Sequence, residues 1–390
     1  MPASRRSLAI VAFNLIFVAL FLAPSAILPF SLVLIPFLDL QRTAGRSRQL
    51  IYFVLLPLAA IGQLTSAGAL DIIELIRIVE IVLFLILVGV YQIKEHVAPV
   101  SIVAIVCVLL LFSFGDWFQI GQLKQLKQAL WPLADVEFWN YGGIDAVAFR
   151  LGSIYYNPNV LGQALISLVP FLVLMGRPVL VAVILPVIGV LVILTGSRTA
   201  FVVFAVQLSW YLIARPPEGE RSRTLLKLTI LGGLGGLVTY VITYAGMTFN
   251  TLRALRVVAL VTEVESGSEK VRVTAEYFRD LTENDTLATV WRIVFGNGAL
   301  DLSRYRLDNE AGYILFAFGV VGLLMIGYRI AGICWYAIQQ GKGHVNAIWL
   351  VSIGATTVFS FRFLVIVLVL YSVLQQKETA TFRARKPSVT

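Results

Sequence analysis

From Leu8 to Leu38 the chain runs for 31 residues without a charged side chain. A hydrocarbon core about 30 Å thick is crossed by roughly 20 apolar residues in a helix, so this run is longer than one crossing needs. Pro24, Ser25 and Pro29 sit near its middle and predict a tight helical hairpin, 8–22 and 25–38. The pattern repeats along the chain. Further apolar segments at about 50–68, 72–93, 98–115, 158–175, 178–195, 198–214, 227–246, 311–332, 345–359 and 362–376 bring the expected spans to about twelve. Hydrophobic residues make up 58% of the chain and charged ones 14%, with mean hydropathy +0.86. Soluble domains carry about 25% charged residues, so these values exclude a soluble globular fold. The expectation is an all-α, polytopic membrane protein, with residues 1–390 as a single integral membrane domain.

The net charge of +9 would suggest nucleic acid in a soluble protein. Here its distribution matters more. Arg5, Arg6, Arg42, Arg46, Arg48, Lys94, Arg177, Arg215, Arg221, Arg223, Lys227, Lys342, Lys377, Arg383, Arg385 and Lys386 all fall on one side if twelve spans alternate. Positive charge is retained in the cytoplasm, so both termini are expected there, in a bacterial cytoplasmic membrane. The first span reads as retained, because no small-residue cleavage signal follows it. Two long loops, about 116–157 and 247–310, then form the extracytoplasmic working face. No nucleic-acid partner is expected.

The second loop has its own helical signals. Ser266-Gly267-Ser268-Glu269 is a capping-box pattern, followed by Val271, Val273, Ala275, Phe278 and Leu281 at helical spacing. A short helix at about 287–295 should end at Gly296-Asn297-Gly298. The first loop carries Trp117, Trp131, Trp139, Tyr141, Tyr155 and Tyr156, which suit a lipid interface or a sugar surface.

Four arginines, Arg150, Arg198, Arg272 and Arg362, fall on the extracytoplasmic side, where topology gives them no role. Each either snorkels to headgroups or meets an anion. A diphosphate would suit several at once, since a guanidinium grips phosphate oxygens bidentately. Asn157-Pro158-Asn159 reads as a helix start, with its positive end on the same side. Asp308-Asn309-Glu310-Ala311-Gly312-Tyr313 places carboxylates at the mouth of a span that contains Gly319-Val320-Val321-Gly322. These acids either serve as general base or simply favour a helix N-terminus. Glu74, Arg77 and Glu80 share one helix face, where they pair or line a polar cavity.

Other chemistry has little support. Cys107 and Cys334 fall in apolar stretches, so neither a disulfide nor a thiol or zinc site is indicated. There is no Walker loop, no HExxH and no dinucleotide glycine pattern. Asp135-Val136-Glu137 and Glu263-Val264-Glu265 are poor metal motifs. No cofactor, ATP or required metal is expected.

In order and spacing, Arg150-Leu-Gly-Ser…Asn157-Pro158-Asn159, Thr195-Gly196-Ser197-Arg198, Phe295-Gly296-Asn297-Gly298 and Asp308-Asn309 before Gly319-x-x-Gly322 resemble the O-antigen polymerase and O-antigen ligase superfamily. The resemblance covers about residues 145–330. It implies a GT-C-like membrane glycosyltransferase that takes a glycan from an undecaprenyl-diphosphate carrier and gives it to an acceptor hydroxyl. By resemblance Arg198 and Arg272 hold the diphosphate, with Arg150 beside them, and Asp308 stands where the ligases typically carry histidine. Asn157, Asn159, Arg279, Asn309, Glu310, Tyr313 and Arg362 complete the implied substrate-binding set. Both histidines, His96 and His344, fall on the cytoplasmic side of the expected topology, which favours the polymerase. The implied partners are lipid-linked oligosaccharide donor and acceptor and the surrounding lipids, and a chain-length regulator is left open. A flippase remains the rival from another class, although the inverted repeats common in transporters are not visible.

Overall fold

A computed structural model describes residues 3–24, 28–42, 47–67, 70–88, 91–93, 95–118, 120–132, 151–155, 157–213, 276, 279, 286–298, 310–340, 342–353 and 361–385. Nearly all are helical. Among them three helices are long and apolar enough to cross a membrane: Pro99–Trp117, Pro178–Thr195 and Ile314–Gln339. Shorter apolar helices cover Arg6–Leu22, Gln49–Thr65, Pro158–Leu174, Thr199–Leu212 and Arg362–Leu374. Leu324 is 67% exposed and Val179 is 74% exposed, which a water-facing surface would not tolerate in such numbers but lipid does. The chain is an integral membrane protein. It divides into two compact units.

The first unit comprises residues 1–37 and 96–263. α1 (Ala3–Leu22) stops just before Pro24, and the expected second arm of the hairpin is a 3₁₀ helix, Leu28–Phe37. α4 (Pro99–Trp117) begins at Ala98, which has no capping side chain of its own. Asn14 of α1 supplies the cap: its Oδ1 accepts from the Ala98 N–H at 2.7 Å and from the Ser101 hydroxyl at 2.9 Å. A lone asparagine within an apolar helix thereby satisfies donors that hydrocarbon would leave unpaired. Phe17 of α1 meets Phe171 of α6 (Pro158–Leu174) edge to face, with centroids 4.9 Å apart. α7 (Pro178–Thr195) and α8 (Arg198–Ile213) follow. α5 (Gly121–Leu130) falls inside the stretch expected to be the first loop, and Leu123 of α5 covers Gly115. The expected helix at 227–246 lies outside the described residues.

The second unit comprises residues 38–95 and 264–390. A 3₁₀ turn, Ser47–Val54, runs into α2 (Leu55–Ala67), and α3 (Ile72–Leu87) comes next. On α3 the Arg77 guanidinium pairs with Glu74 at 2.8 Å, so part of the charged face is used within the helix. The all-α expectation needs one addition. β1 (Leu40–Arg42) and β2 (Tyr91–Ile93) pair antiparallel, Leu40 opposite Ile93, and Glu95 Oε1 accepts from the Asp39 N–H at 2.8 Å beside them. α9 (Thr286–Phe295), α10 (Glu310–Gln339), a 3₁₀ segment Gly343–Ile353 and α11 (Phe361–Arg385) complete the unit. The 3₁₀ segment is held by side chains. Trp349 Nε1 donates to the Tyr371 hydroxyl at 3.0 Å, that hydroxyl donates to Asn346 Oδ1 at 3.0 Å, and Asn346 Nδ2 donates to the Cys334 carbonyl at 2.8 Å.

His344 opens that segment with its imidazole largely buried. Burial, helped by Lys342, lowers its pKa from 6.5 to about 4, so the folded protein holds it neutral. Between those two values the unfolded chain binds the extra proton, and stability therefore falls as pH drops through 6.5 towards 4. Thermal unfolding of the detergent-solubilised protein is expected to shift down between pH 7 and pH 4.5, in that window. His344→Phe should flatten the dependence; an unaltered slope would remove His344 as its source.

Candidate functional site

Asn157 starts α6 as its sequence suggests. Its backbone is extended (φ −138°, ψ 130°), its Oδ1 accepts from the Asn159 N–H at 2.8 Å, and Pro158 occupies the first helical position. The Thr195-Gly196-Ser197-Arg198 turn is built in the same economical way. Gly196 adopts the left-handed conformation (φ 60°) that closes α7. Thr195 Oγ1 donates to the Val192 carbonyl at 2.7 Å and accepts from the Ser197 N–H at 3.1 Å, and Ser197 Oγ lies 3.4 Å from the Ala200 amide in the first turn of α8.

These two motifs meet. A Cβ on Gly162, one turn into α6, would stand 2.7 Å from Ala200 Cβ, 3.3 Å from Ser197 Cβ and 3.4 Å from Thr195 Oγ1. Just upstream, the Leu151 N–H donates to the Leu194 carbonyl at 3.1 Å. The N-terminal turns of α6 and α8 are thus apposed, and Arg198 is the first residue of α8. Each helix N-terminus carries roughly half a positive charge, so a basic residue there works against helix stability. Two such termini and an arginine at one of them make a region suited to an anion.

In the second unit the glycine motifs interlock through their backbones. α10 breaks at Gly319 (φ 62°, ψ −165°). On the near side of the break, the Phe316 and Ala317 carbonyls accept from the Asn297 and Gly298 N–H groups at 2.8 and 2.9 Å. A side chain on Gly319 would collide with the Val294 carbonyl, and one on Gly296 (φ 81°) with the Ala317 carbonyl. α2 closes the knot: Gly62 lies against the Asn297 carbonyl carbon, and Gln63 Nε2 donates to the Gly298 carbonyl at 2.9 Å. Gln63 Oε1 also accepts from the Asp71 N–H at 2.9 Å. This glutamine carried no recognisable signal in the sequence. What the knot supports is the half-helix 310–318, whose first turn contains Glu310 and Tyr313.

The remaining expected site residues are distributed as follows. Arg279 is helical and exposed, and Arg362 is half-buried in the first turn of α11. Arg150, Arg272, Asp308 and Asn309 lie outside the described residues. No group of histidine, cysteine, aspartate and glutamate with metal-binding proximity occurs among the described residues.

No family model matches the chain. No solved structure matches it either. An O-antigen ligase of Pseudomonas aeruginosa is 30% identical to it over 190 residues. That match takes in 45% of this chain and 41% of the ligase, so the chain spans about two-fifths of the length of the curated relative it matches.

Proposed function

We propose that this protein is a membrane glycosyltransferase that elongates a polysaccharide outside the cytoplasmic membrane, using a glycan carried on undecaprenyl diphosphate as donor and a second lipid-linked repeat unit as acceptor. The observation that carries the reading is the meeting of the α6 and α8 N-termini, with Arg198 opening α8. This is a place for diphosphate oxygens. Arg272, with Arg150, supplies further positive charge to the leaving group. The acceptor hydroxyl oxygen attacks the anomeric carbon as the bond from that carbon to the diphosphate oxygen breaks. The hydroxyl proton passes to the Asp308 carboxylate, and undecaprenyl diphosphate departs with the bonding electrons. Arg279, Asn309, Glu310, Tyr313 and Arg362 contact the glycans. The fold in this reading is GT-C-like, with about twelve spans, both termini cytoplasmic, and the loops 116–157 and 247–310 outside.

Similarity to an O-antigen ligase favours a second reading, in which the acceptor is lipid A core and the protein is a ligase. His344 favours the polymerase. It is buried with its pKa lowered to about 4, which leaves it a weak base toward an acceptor hydroxyl.

Deletion of the protein, followed by resolution of the glycans by length, separates these readings. Collapse to a single repeat unit, with attachment to the final acceptor intact, is the expected result. Full-length chains stranded on the carrier lipid would make it the ligase, and repeat units accumulating on the cytoplasmic face would make it a flippase.

A further inference from the structure

α4 is long enough to cross a membrane by itself: its 19 residues rise about 28 Å, close to the thickness of the hydrocarbon core. α5, which follows, is not. Its 10 residues rise about 15 Å, half a crossing. It is held instead against the ends of its neighbours. The Ile120 N–H donates to the Gly115 carbonyl at 2.9 Å, so the chain turns back as soon as α4 ends. A Cβ on Gly115 would stand 2.8 Å from Leu123 Cδ1, and Lys127 Nζ lies 2.6 Å from Asp116 Oδ1. Trp131, just past α5, packs edge to face on Phe112 with centroids 5.2 Å apart, and its Nε1 donates to the Leu22 carbonyl at the end of α1 at 2.7 Å. These contacts clamp α5 to the last turns of both α1 and α4.

The sides of α5 that remain open differ in chemistry. Leu126 and Leu130, four residues apart, share one edge beside Leu123, while Lys124, Gln125 and Gln128 fall on the opposite side. Leu126 is 46% and Leu130 49% exposed, and Lys124 and Gln125 are exposed as well. The leucine edge continues a lipid-facing surface. Along α4, Ala104, Cys107, Leu111 and Phe114 recur at spacings of three and four, all exposed, and Phe118 extends the stripe past the end of the helix. Phe118 stacks on Phe114 with centroids 5.9 Å apart, and Ile120, also exposed, leads into α5. A short helix with an exposed apolar edge joined to a lipid-facing stripe, and with a polar side carrying a cation, has the pattern of one lying in the plane of a membrane interface.

Two aromatic donors of this region are already engaged inside the protein. The Trp131 indole N–H and the Tyr155 hydroxyl donate to the Leu22 and Phe21 carbonyls, groups at the end of α1 that hydrocarbon would leave unpaired. They brace α1 and do not present those donors to a sugar. We propose that α5 is an in-plane membrane anchor: its Leu126–Leu130 edge enters the boundary between headgroups and acyl chains at the end of α4, and Lys124 on the polar side stands among the lipid phosphates. The anchor does not depend on the reaction proposed above.

The test is electron paramagnetic resonance on the full-length protein in nanodiscs of phosphatidylethanolamine and phosphatidylglycerol. A nitroxide is placed on a single cysteine, with Cys107 and Cys334 replaced by alanine. In Leu126→Cys and Leu130→Cys the label is expected about 5–10 Å below the phosphates, relaxed by dissolved oxygen and shielded from a water-soluble nickel chelate. In Gln125→Cys the order of the two relaxants is expected to reverse. Nickel access at 126 and 130 equal to that at 125 puts the edge in water and overturns the anchor. Shielding from both relaxants means that a protein surface covers the edge, a second copy of this chain included, and overturns it equally. If the cysteine-free protein does not fold, benzoylphenylalanine in place of Leu126 in the otherwise native chain decides: a photo-adduct with lipid supports the anchor, and an adduct with protein, or none with lipid, overturns it.

Discussion

Alanine at Gly319 is expected to leave little folded protein. The added methyl group would enter the Val294 carbonyl, and the residue would also be asked to keep a φ of 62°. Overpacking and left-handed backbone together cost about 2–5 kcal/mol, a large share of the stability of most proteins. Gly296→Ala meets the same obstacle from the other side, against Ala317. Gly327, further along α10, is the internal control, because a Cβ there meets nothing within 4 Å. Gly327→Ala should be neutral or slightly stabilising, since alanine is the better helix former. The measurement is the yield of monodisperse, detergent-extracted protein and its unfolding temperature. Equal behaviour of Gly319→Ala and Gly327→Ala would mean that the α9–α10 knot is not formed.

Arg198→Ala and Arg272→Ala are expected to have the largest effects on activity. Each removes a guanidinium assigned to the charge that develops on the departing diphosphate, and loss of one such group typically costs about 10²–10³ in rate. Arg198 has a feature that makes the experiment interpretable. As the first residue of α8 it is a cation at the positive end of a helix, so its removal should not reduce folding and is expected to leave expression intact. Lysine restores the charge without the bidentate fork, and Arg198→Lys should fall between alanine and wild type. Initial rates of glycan transfer by purified protein report the effect. A full rate with alanine at both positions would remove the arginines from the reaction, as would an unaltered chain-length distribution in cells.

Much of this architecture could be read from residues whose meaning is local. Asn157-Pro158 marks a helix start because an asparagine cap and a proline at the first position both satisfy the backbone within a few residues. Gly296-Asn297-Gly298 marks the end of α9 for a similar reason. What these glycines meet was not legible, because the contacts of Gly296 with Ala317 and of Gly319 with Val294 are backbone to backbone, and spacing along one chain does not encode them. α5 was missed since Gly121–Leu130 alternates leucine with lysine and glutamine in a short stretch among aromatics, and its one decisive lysine is buried by a partner eleven residues away. The 3₁₀ segments Leu28–Phe37 and Gly343–Ile353 read as α-helix because periods of 3.0 and 3.6 are hard to separate over ten residues. At the site, the Asn157 cap follows from sequence, whereas the apposition of the α6 and α8 N-termini through Gly162 and Ala200 enters only through tertiary contacts.

The break in α10 also changes how its length should be counted. An unbroken helix from Glu310 to Gln339 would measure about 45 Å, well beyond a hydrocarbon core of about 30 Å. The residues after Gly319 suffice for the crossing by themselves, at about 1.5 Å each. The nine residues from Glu310 to Phe318 are therefore not required for the length of a crossing; they form a stub some 13 Å long bolted by its far end to a main-chain knot. That stub is a bracket, and whatever stands at its tip is held by the backbone geometry of the knot.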